Sequence, residues 1–329
     1  MKKINLLFVL FITIGCGQVA AQVAKKKITT EDIFKKGTFR QEVVYGMTWL
    51  NSGEHYAAFG TGSEGKKLYR FEIKTGKKLD LIFDGDEMVP QGESKPIETF
   101  SYTFSPDESK ILFATDVEAI YRYSTRETNY VYDLKTKNLS LLSTNGKQRL
   151  ASFSPDSKKV AFVRDNNIFI ADLTNGVETQ VTSDGVINKI INGGTDWVYE
   201  EEFALPNGMY WSPDSKKIAF YRFDESLVKE YQMTMYNTGL YPEPSVFKYP
   251  KAGEKNSIVT IHIYDVATKQ TIPVNVGTET DQYIPRVQWT KDPNVVSFIR
   301  MNRLQNKQEL LLANAKDGSS MAIVTETST

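Results

Sequence analysis

The chain has 329 residues, 40% of them hydrophobic and 24% charged, with Lys+Arg and Asp+Glu both at 40 and a formal net charge of +0. This suits two ordinary folded domains or one large repetitive one, and excludes a disordered chain. Balanced charge gives no electrostatic reason to expect nucleic acid or an anionic membrane as partner, and aromatics at 12% favour β structure.

Met1-Lys2-Lys3 and the apolar run from Ile4 to Ile14 read as a secretory signal peptide over residues 1–21, too short to cross a bilayer as a mature helix. Val19-Ala20-Ala21 before Gln22 fits cleavage. Cys16, the one cysteine, offers a competing lipid attachment after Thr13-Ile14-Gly15, although a lipobox usually has Leu where Thr13 stands. The expectation is an exported protein, periplasmic or on the outer surface, with no disulfide or thiol chemistry once residues 1–21 are removed. No later run reaches the roughly 18 apolar residues of a membrane span. Residues 22–40 form an N-terminal segment in which Thr29-Thr30-Glu31-Asp32 before Ile33-Phe34 predicts a capped helix start.

From residue 41 to residue 329 a repeat runs along the chain. Phe104-Ser105-Pro106-Asp107 leads into Lys110 to Phe113, Phe153-Ser154-Pro155-Asp156 into Lys159 to Phe162, and Trp211-Ser212-Pro213-Asp214 into Lys217 to Phe220. Degenerate copies start at Trp49 and Trp289. In each unit an aromatic ends a strand, Ser-Pro-Asp closes a tight turn with Pro fixing φ, and an apolar strand returns. A further strand with a Gly, Asn or Thr turn follows in each: Tyr69 to Ile73, Tyr130 to Leu134, Ile168 to Leu173, Ile261 to Val266 and Glu309 to Ala313. The starts are separated by 55, 49, 58 and 78 residues. Four-stranded units of about 40 to 50 residues predict a β-propeller, with the extra length held in insertions. The predicted fold is therefore all-β, an incomplete β-propeller of four-stranded antiparallel blades with roughly five begun. Thr195 to Leu205 is expected to add one or two helical turns.

Several chemistries are missing. The two histidines, His55 and His262, stand after a turn and within a strand, and both read as structural or surface residues. No His/Cys zinc spacing, Gly-rich phosphate loop or Gly-x-Ser-x-Gly elbow occurs in the 329 residues. No metal, cofactor or catalytic residue is expected in this chain.

One segment stands out: Asp196-Trp197-Val198-Tyr199-Glu200-Glu201-Glu202-Phe203, inside the 58-residue spacing. A solvated acidic turn accounts for it. A cation receptor also does, because neighbouring carboxylates repel unless a positive group neutralises them, and an ammonium offers three donors. Asp-Trp-Val-Tyr-Glu-Glu-Glu followed by Trp-Ser-Pro-Asp resembles the double-glutamate segment of the dipeptidyl peptidase IV family. The likeness extends through Thr30-Glu31-Asp32-Ile33-Phe34, Gly53-Glu54-His55-Tyr56 and Tyr249-Pro250-Lys251-Ala252-Gly253-Glu254-Lys255-Asn256.

This resemblance implies an eight-bladed propeller followed by an α/β-hydrolase domain that carries the catalytic serine, and release of Xaa-Pro or Xaa-Ala dipeptides from peptides with a free N-terminus. It implies that Glu201 and Glu202 bind the substrate α-amine, that Glu200 points away, and that a propeller arginine meets the substrate. Counting back from Tyr132-Asp133-Leu134 puts this arginine at Arg122, with Arg126 four residues later as the alternative. It allows a homodimer, and it makes the chain inactive alone, since hydrolase domain and closing blades lie past Thr329. A non-enzymatic, TolB-like periplasmic propeller that binds protein partners is the competing expectation.

Overall fold

A computed structural model describes residues 27–41, 43–237 and 239–328. The signal peptide and Cys16 lie outside the described residues. The chain divides into two compact units, Met1–Tyr45 and Gly46–Thr329. The first holds the expected short helix, α1 (Thr30–Phe34), which begins in a capping box: Thr29 Oγ1 accepts from the Asp32 N–H and the Asp32 carboxylate accepts from the Thr29 N–H at 3.1 Å. Among the described residues no helix is long and apolar enough to cross a membrane.

The second unit is a run of antiparallel sheets, each begun by one of the repeats. Blade one is β1 (Thr48–Trp49), β2 (His55–Phe59), β3 (Lys67–Glu72) and β4 (Lys78–Asp84). Blade two is β5 (Thr99–Phe104), β6 (Lys110–Ala119), β7 (Thr125–Asp133) and β8 (Leu139–Leu141). Blade three is β9 (Arg149–Phe153), β10 (Lys159–Arg164), β11 (Asn167–Asp172) and β12 (Glu178–Gln180). Blade four holds β13 (Ile190–Asn192), β14 (Met209–Trp211), β15 (Lys217–Asp224), β18 (Ile258–Asp265) and β19 (Thr271–Pro273), with the separate hairpin β16 (Glu230–Met235) and β17 (Glu243–Lys248) rising between β15 and β18. Blade five is β20 (Gln282–Trp289), β21 (Val295–Asn302), β22 (Lys307–Asn314) and β23 (Ser320–Thr327). The β-propeller fold class holds, with five blades among the described residues. The two long spacings are explained: the 58-residue one carries the glutamate segment, and the 78-residue one carries the hairpin.

Alternation along the strands buries one face of each blade against the next. Ala57, Leu68 and Phe83 of blade one pack with Ile111, Phe113 and Tyr132 of blade two. Leu112 and Val131 pack with Val160 and Phe162, Ile168 with Ile218 and Phe220, and Ile261 with Val296 and Phe298. Blades two, three and four therefore each contribute to two cores, which is why their central strands read as nearly continuous apolar runs.

The Ser-Pro-Asp turns do more than reverse the chain. Ser105, Ser154 and Ser212 are buried. Each hydroxyl donates to the Asp two residues on, at 2.7, 2.6 and 2.7 Å, and accepts the N–H of the returning strand at 2.9, 2.9 and 2.8 Å. Burial pushes the Asp107 carboxyl up, but hydrogen bonds led by the Ser105 hydroxyl outweigh it and hold the group well below the usual carboxylate range. The turns are also linked from blade to blade. Asn51 Nδ2 donates to Pro106 O at 2.7 Å, the Asp107 N–H to Ser157 Oγ at 3.2 Å and the Asp156 N–H to Ser215 Oγ at 2.9 Å. Ser157 and Ser215, which receive these bonds, sit in the left-handed region at φ 60° and 63°. Ser154→Ala is expected to cost about 1–3 kcal/mol, because it leaves the half-buried Lys159 N–H without its side-chain partner. Urea denaturation measures this, and an unchanged midpoint would mean the turn hydroxyl is dispensable.

Candidate functional site

The glutamate segment interrupts the first strand of blade four. β13 pairs with the far half of β15 (Ile190↔Asp224 to Asn192↔Arg222) and β14 with its near half (Met209↔Phe220 to Trp211↔Ile218). Between them the chain leaves the sheet and returns through a neck where the Gly208 N–H donates to Gly193 O at 3.0 Å. Only glycine fits there: a Cβ on Gly208 would stand 2.5 Å from Gly194 O, and Gly193 has φ +74°.

The loop so formed carries α2 (Trp197–Phe203), the turns expected from Thr195 to Leu205. Asp196 caps it. Its Oδ1 accepts from the Tyr199 N–H at 2.9 Å and its Oδ2 from the Ser257 hydroxyl at 2.7 Å. Burial pushes the Asp196 carboxyl up, against these hydrogen bonds. Tyr199 anchors the inner face: its ring lies 4.8 Å from that of Phe223 and its hydroxyl accepts the Ile284 N–H at 2.8 Å. Burial holds this phenol far above its ordinary range. The Trp197 ring meets that of Tyr249 at a tilt, 4.4 Å between centroids, in the Tyr249-to-Asn256 stretch picked out from the sequence, and Asn256 donates to the Tyr283 hydroxyl at 3.0 Å.

Successive helical residues point about 100° apart, so three adjacent glutamates cannot share a face. Glu200 turns inward and is fully buried. Its Oε1 accepts the N–H groups of Tyr123 and Ser124, at 2.7 and 2.9 Å, and so fastens the loop between β6 and β7 to α2. The solvated-turn reading fails at this residue. Its bond to the Tyr123–Ser124 backbone has no counterpart in the sequence reading. The signal in the sequence was position alone: the residue four after the capping Asp196, on the flank of the Tyr199 and Phe203 face.

Glu201 and Glu202 remain at the surface, half-buried and exposed respectively. The fastened loop brings Arg122 onto Glu201. Arg122 Nε donates to Glu201 Oε2 at 2.7 Å, with the arginine side chain 65% exposed and the glutamate side chain 16%. The Glu202 carboxylate makes no hydrogen bond or ion pair with any described residue. The Glu201 carboxylate lifts the Arg122 guanidinium above its ordinary value. Arg126 instead pairs with Glu118 and Lys147 reaches the same carboxylate at 2.6 Å, so of the two candidate arginines only Arg122 faces the acidic pair. An exposed pair of this kind is weak, and a ligand can replace either partner. The site therefore offers two outward carboxylates and one guanidinium on a braced platform, which suits a cation that also carries an acceptor oxygen.

A cavity of about 440 Å³ lies beside the platform, lined by Ile120, Tyr121, Arg149, Ile191, Thr195 and Glu225. Burial raises Tyr121 to about 12, with the Glu225 carboxylate adding to it. Burial also raises Glu225 to about 7, with Asp196 adding and Lys248 opposing. An unfolded Glu ionises near 4.5, so between that value and about 7 the folded chain holds the extra proton and loses stability as pH rises. Glu225→Gln is expected to raise Tm more at pH 8 than at pH 5; an equal gain at both would show that Glu225 ionises normally. His55 meets Ser52 Oγ at 3.0 Å, and His262 stacks on Phe220 with Thr260 Oγ1 at 3.0 Å, both away from this site.

The sequence model described as "Dipeptidyl peptidase IV (DPP IV) N-terminal region" matches residues 105–329. The chain belongs to that family. It is 32% identical over 299 residues to the "Probable dipeptidyl-aminopeptidase B" of Talaromyces stipitatus, covering 82% of this chain and 33% of the relative. It is 30% identical over 288 residues to dipeptidyl peptidase 4 of Trichophyton rubrum, covering 84% and 36%. The crystal structure of Porphyromonas gingivalis dipeptidyl peptidase 4 superposes with a TM-score of 0.83 at 40% identity, over 92% of this chain and 43% of that one. The chain thus spans about a third of the length of these curated relatives, and it corresponds to their N-terminal β-propeller region.

Proposed function

We propose that this chain is the substrate-recognising propeller of a serine-type dipeptidyl peptidase, which receives the free N-terminus of a peptide so that a partner α/β-hydrolase domain removes Xaa-Pro or Xaa-Ala dipeptides. In this reading Glu201 and Glu202 hold the α-ammonium group and Arg122 meets a carbonyl of the same dipeptide. The observation that carries it is the convergence of Arg122 from blade two on Glu201 from blade four, made possible by the buried Glu200. Holding the ammonium fixes where the peptide begins, and therefore which bond lies two residues along. A binding platform accelerates chemistry only through that positioning, so the nucleophile comes from elsewhere. The leader at residues 1–21 supports export to the periplasm or outer surface, and no cofactor enters the reading. A TolB-like scaffold that binds proteins has no need of two neighbouring carboxylates, one of them held beside a guanidinium.

The test is a pair of titrations of this chain, with alanyl-proline amide and with its N-acetylated counterpart, followed by NMR. Preference for the free amine supports the reading. Equal binding of both, or binding of neither, overturns it.

A further inference from the structure

Arg149, at the start of β9 in blade three, has no evident reason to be where it is. A Cβ on Gly194 would lie 3.7 Å from each of its two terminal nitrogens, so its guanidinium rests against the neck of the α2 loop. Its Nε is shut off from solvent without a hydrogen-bond partner among the described residues, and so are Glu200 Oε2 and Ser124 Oγ. The guanidinium forms no ion pair within contact distance with any described residue. Shutting even part of a cation off from water without a partner is costly, and a nearby charge offsets that cost. Burial acts against the guanidinium, and the Glu200 carboxylate is the strongest influence in its favour, ahead of Tyr121 and Glu127.

We infer that Arg149 is a positioning residue of the amine receptor: it supplies the positive charge behind Glu200, and through Glu200 it holds the Tyr123–Ser124 backbone and hence Arg122 against Glu201. The three parts come from three blades, Arg149 from blade three, the Arg122 loop from blade two and Glu200 from blade four. A carboxylate that accepts two N–H groups holds them more firmly the more fully its charge is kept, and a buried carboxylate keeps its charge best beside a cation. The cation need not touch the carboxylate, since a low-dielectric surround lets a charge act across several ångströms.

The inference rests on the amine-receptor reading for its functional consequence, and its test separates the two. Arg149→Met and Arg149→Lys are compared with the unaltered chain and with Glu201→Gln, using the Arg122 Nε–H resonance and the affinity for alanyl-proline amide. In Arg149→Met the Nε–H resonance is expected to move toward its position in Glu201→Gln, and amine affinity to fall about tenfold. Arg149→Lys should restore both, which a residue that only fills space would not require of a lysine. An Arg122 resonance that stays in place in Arg149→Met, or one displaced as far by Lys as by Met, overturns the inference. If the unaltered chain binds no amine, the proposed function fails, while the resonance still decides the role of Arg149. Thermal melting of each variant identifies one that does not fold, and Arg149→Lys then decides by the same resonance.

Discussion

Glu201→Gln is expected to lower the affinity of the chain for a free-amine dipeptide by more than tenfold while leaving the N-acetylated control unchanged. The substitution keeps shape and removes charge, so it isolates the charged hydrogen bond to the ammonium, which is roughly twice as strong as a neutral one. It also cancels the attraction that draws Arg122 over the helix, where Nε and Oε2 stand 2.7 Å apart. Two losses thus coincide at Glu201. Glu202→Gln removes only the direct contact, from an exposed side chain, and a several-fold loss is expected there. Glu200→Gln keeps an acceptor oxygen for the Tyr123 and Ser124 N–H groups, so a smaller effect than at Glu201 is expected. Glu200→Ala removes that acceptor and should lower both stability and affinity. Free-amine affinity that is equal in Glu201→Gln, Glu202→Gln and the unaltered chain would mean the outward carboxylates are ordinary surface charge. Melting curves distinguish lost binding from lost fold.

The blades were legible because a repeat is reported many times over. Every aromatic-Ser-Pro-Asp unit began a sheet, and even the degenerate copies at Trp49 and Trp289 fell on first strands. The links between turns were not legible. They join Asp107 to Ser157 and Asp156 to Ser215, some 50 and 59 residues apart in sequence, and no local pattern announces a bond of that range. The candidate site divides in the same way. Glu201, Glu202 and Arg122 could be picked out by likeness to a family, and the capped start of α1 by its own residues. That Glu200 would fasten Arg122 to the helix depends on two segments 77 residues apart. Arg149 gave no sign, because a lone arginine at the start of a strand reads as a surface charge until its guanidinium is seen against the neck of the α2 loop.

Two substitutions in the α2 loop are expected to act in opposite directions, and together they test whether its shape is set by the neck. Gly208→Ala should destabilise the chain by about 1–3 kcal/mol, the usual cost of forcing an extra methyl into a filled space. The atoms in the way are backbone, Gly194 O at 2.5 Å and the Gly193 carbonyl at 3.1 Å, so no side-chain rotation relieves the clash. Nor can Gly208 slide, because its N–H is held by Gly193 O and its C=O by the Tyr221 N–H at 2.8 Å. The neck must open, and α2 with Glu200 and Glu201 must shift with it, so amine affinity should fall even at temperatures where the chain is fully folded. Four residues earlier, Ala204 ends α2 in the left-handed region at φ 50°. An L side chain is strained there and glycine is not, so Ala204→Gly is expected to be neutral or to stabilise by up to about 1 kcal/mol. Thermal melting of both variants, with amine titration of each, gives the comparison. If Gly208→Ala melts and binds like the unaltered chain, the neck has room that its geometry denies, and the glycine pair does not set the position of the glutamates.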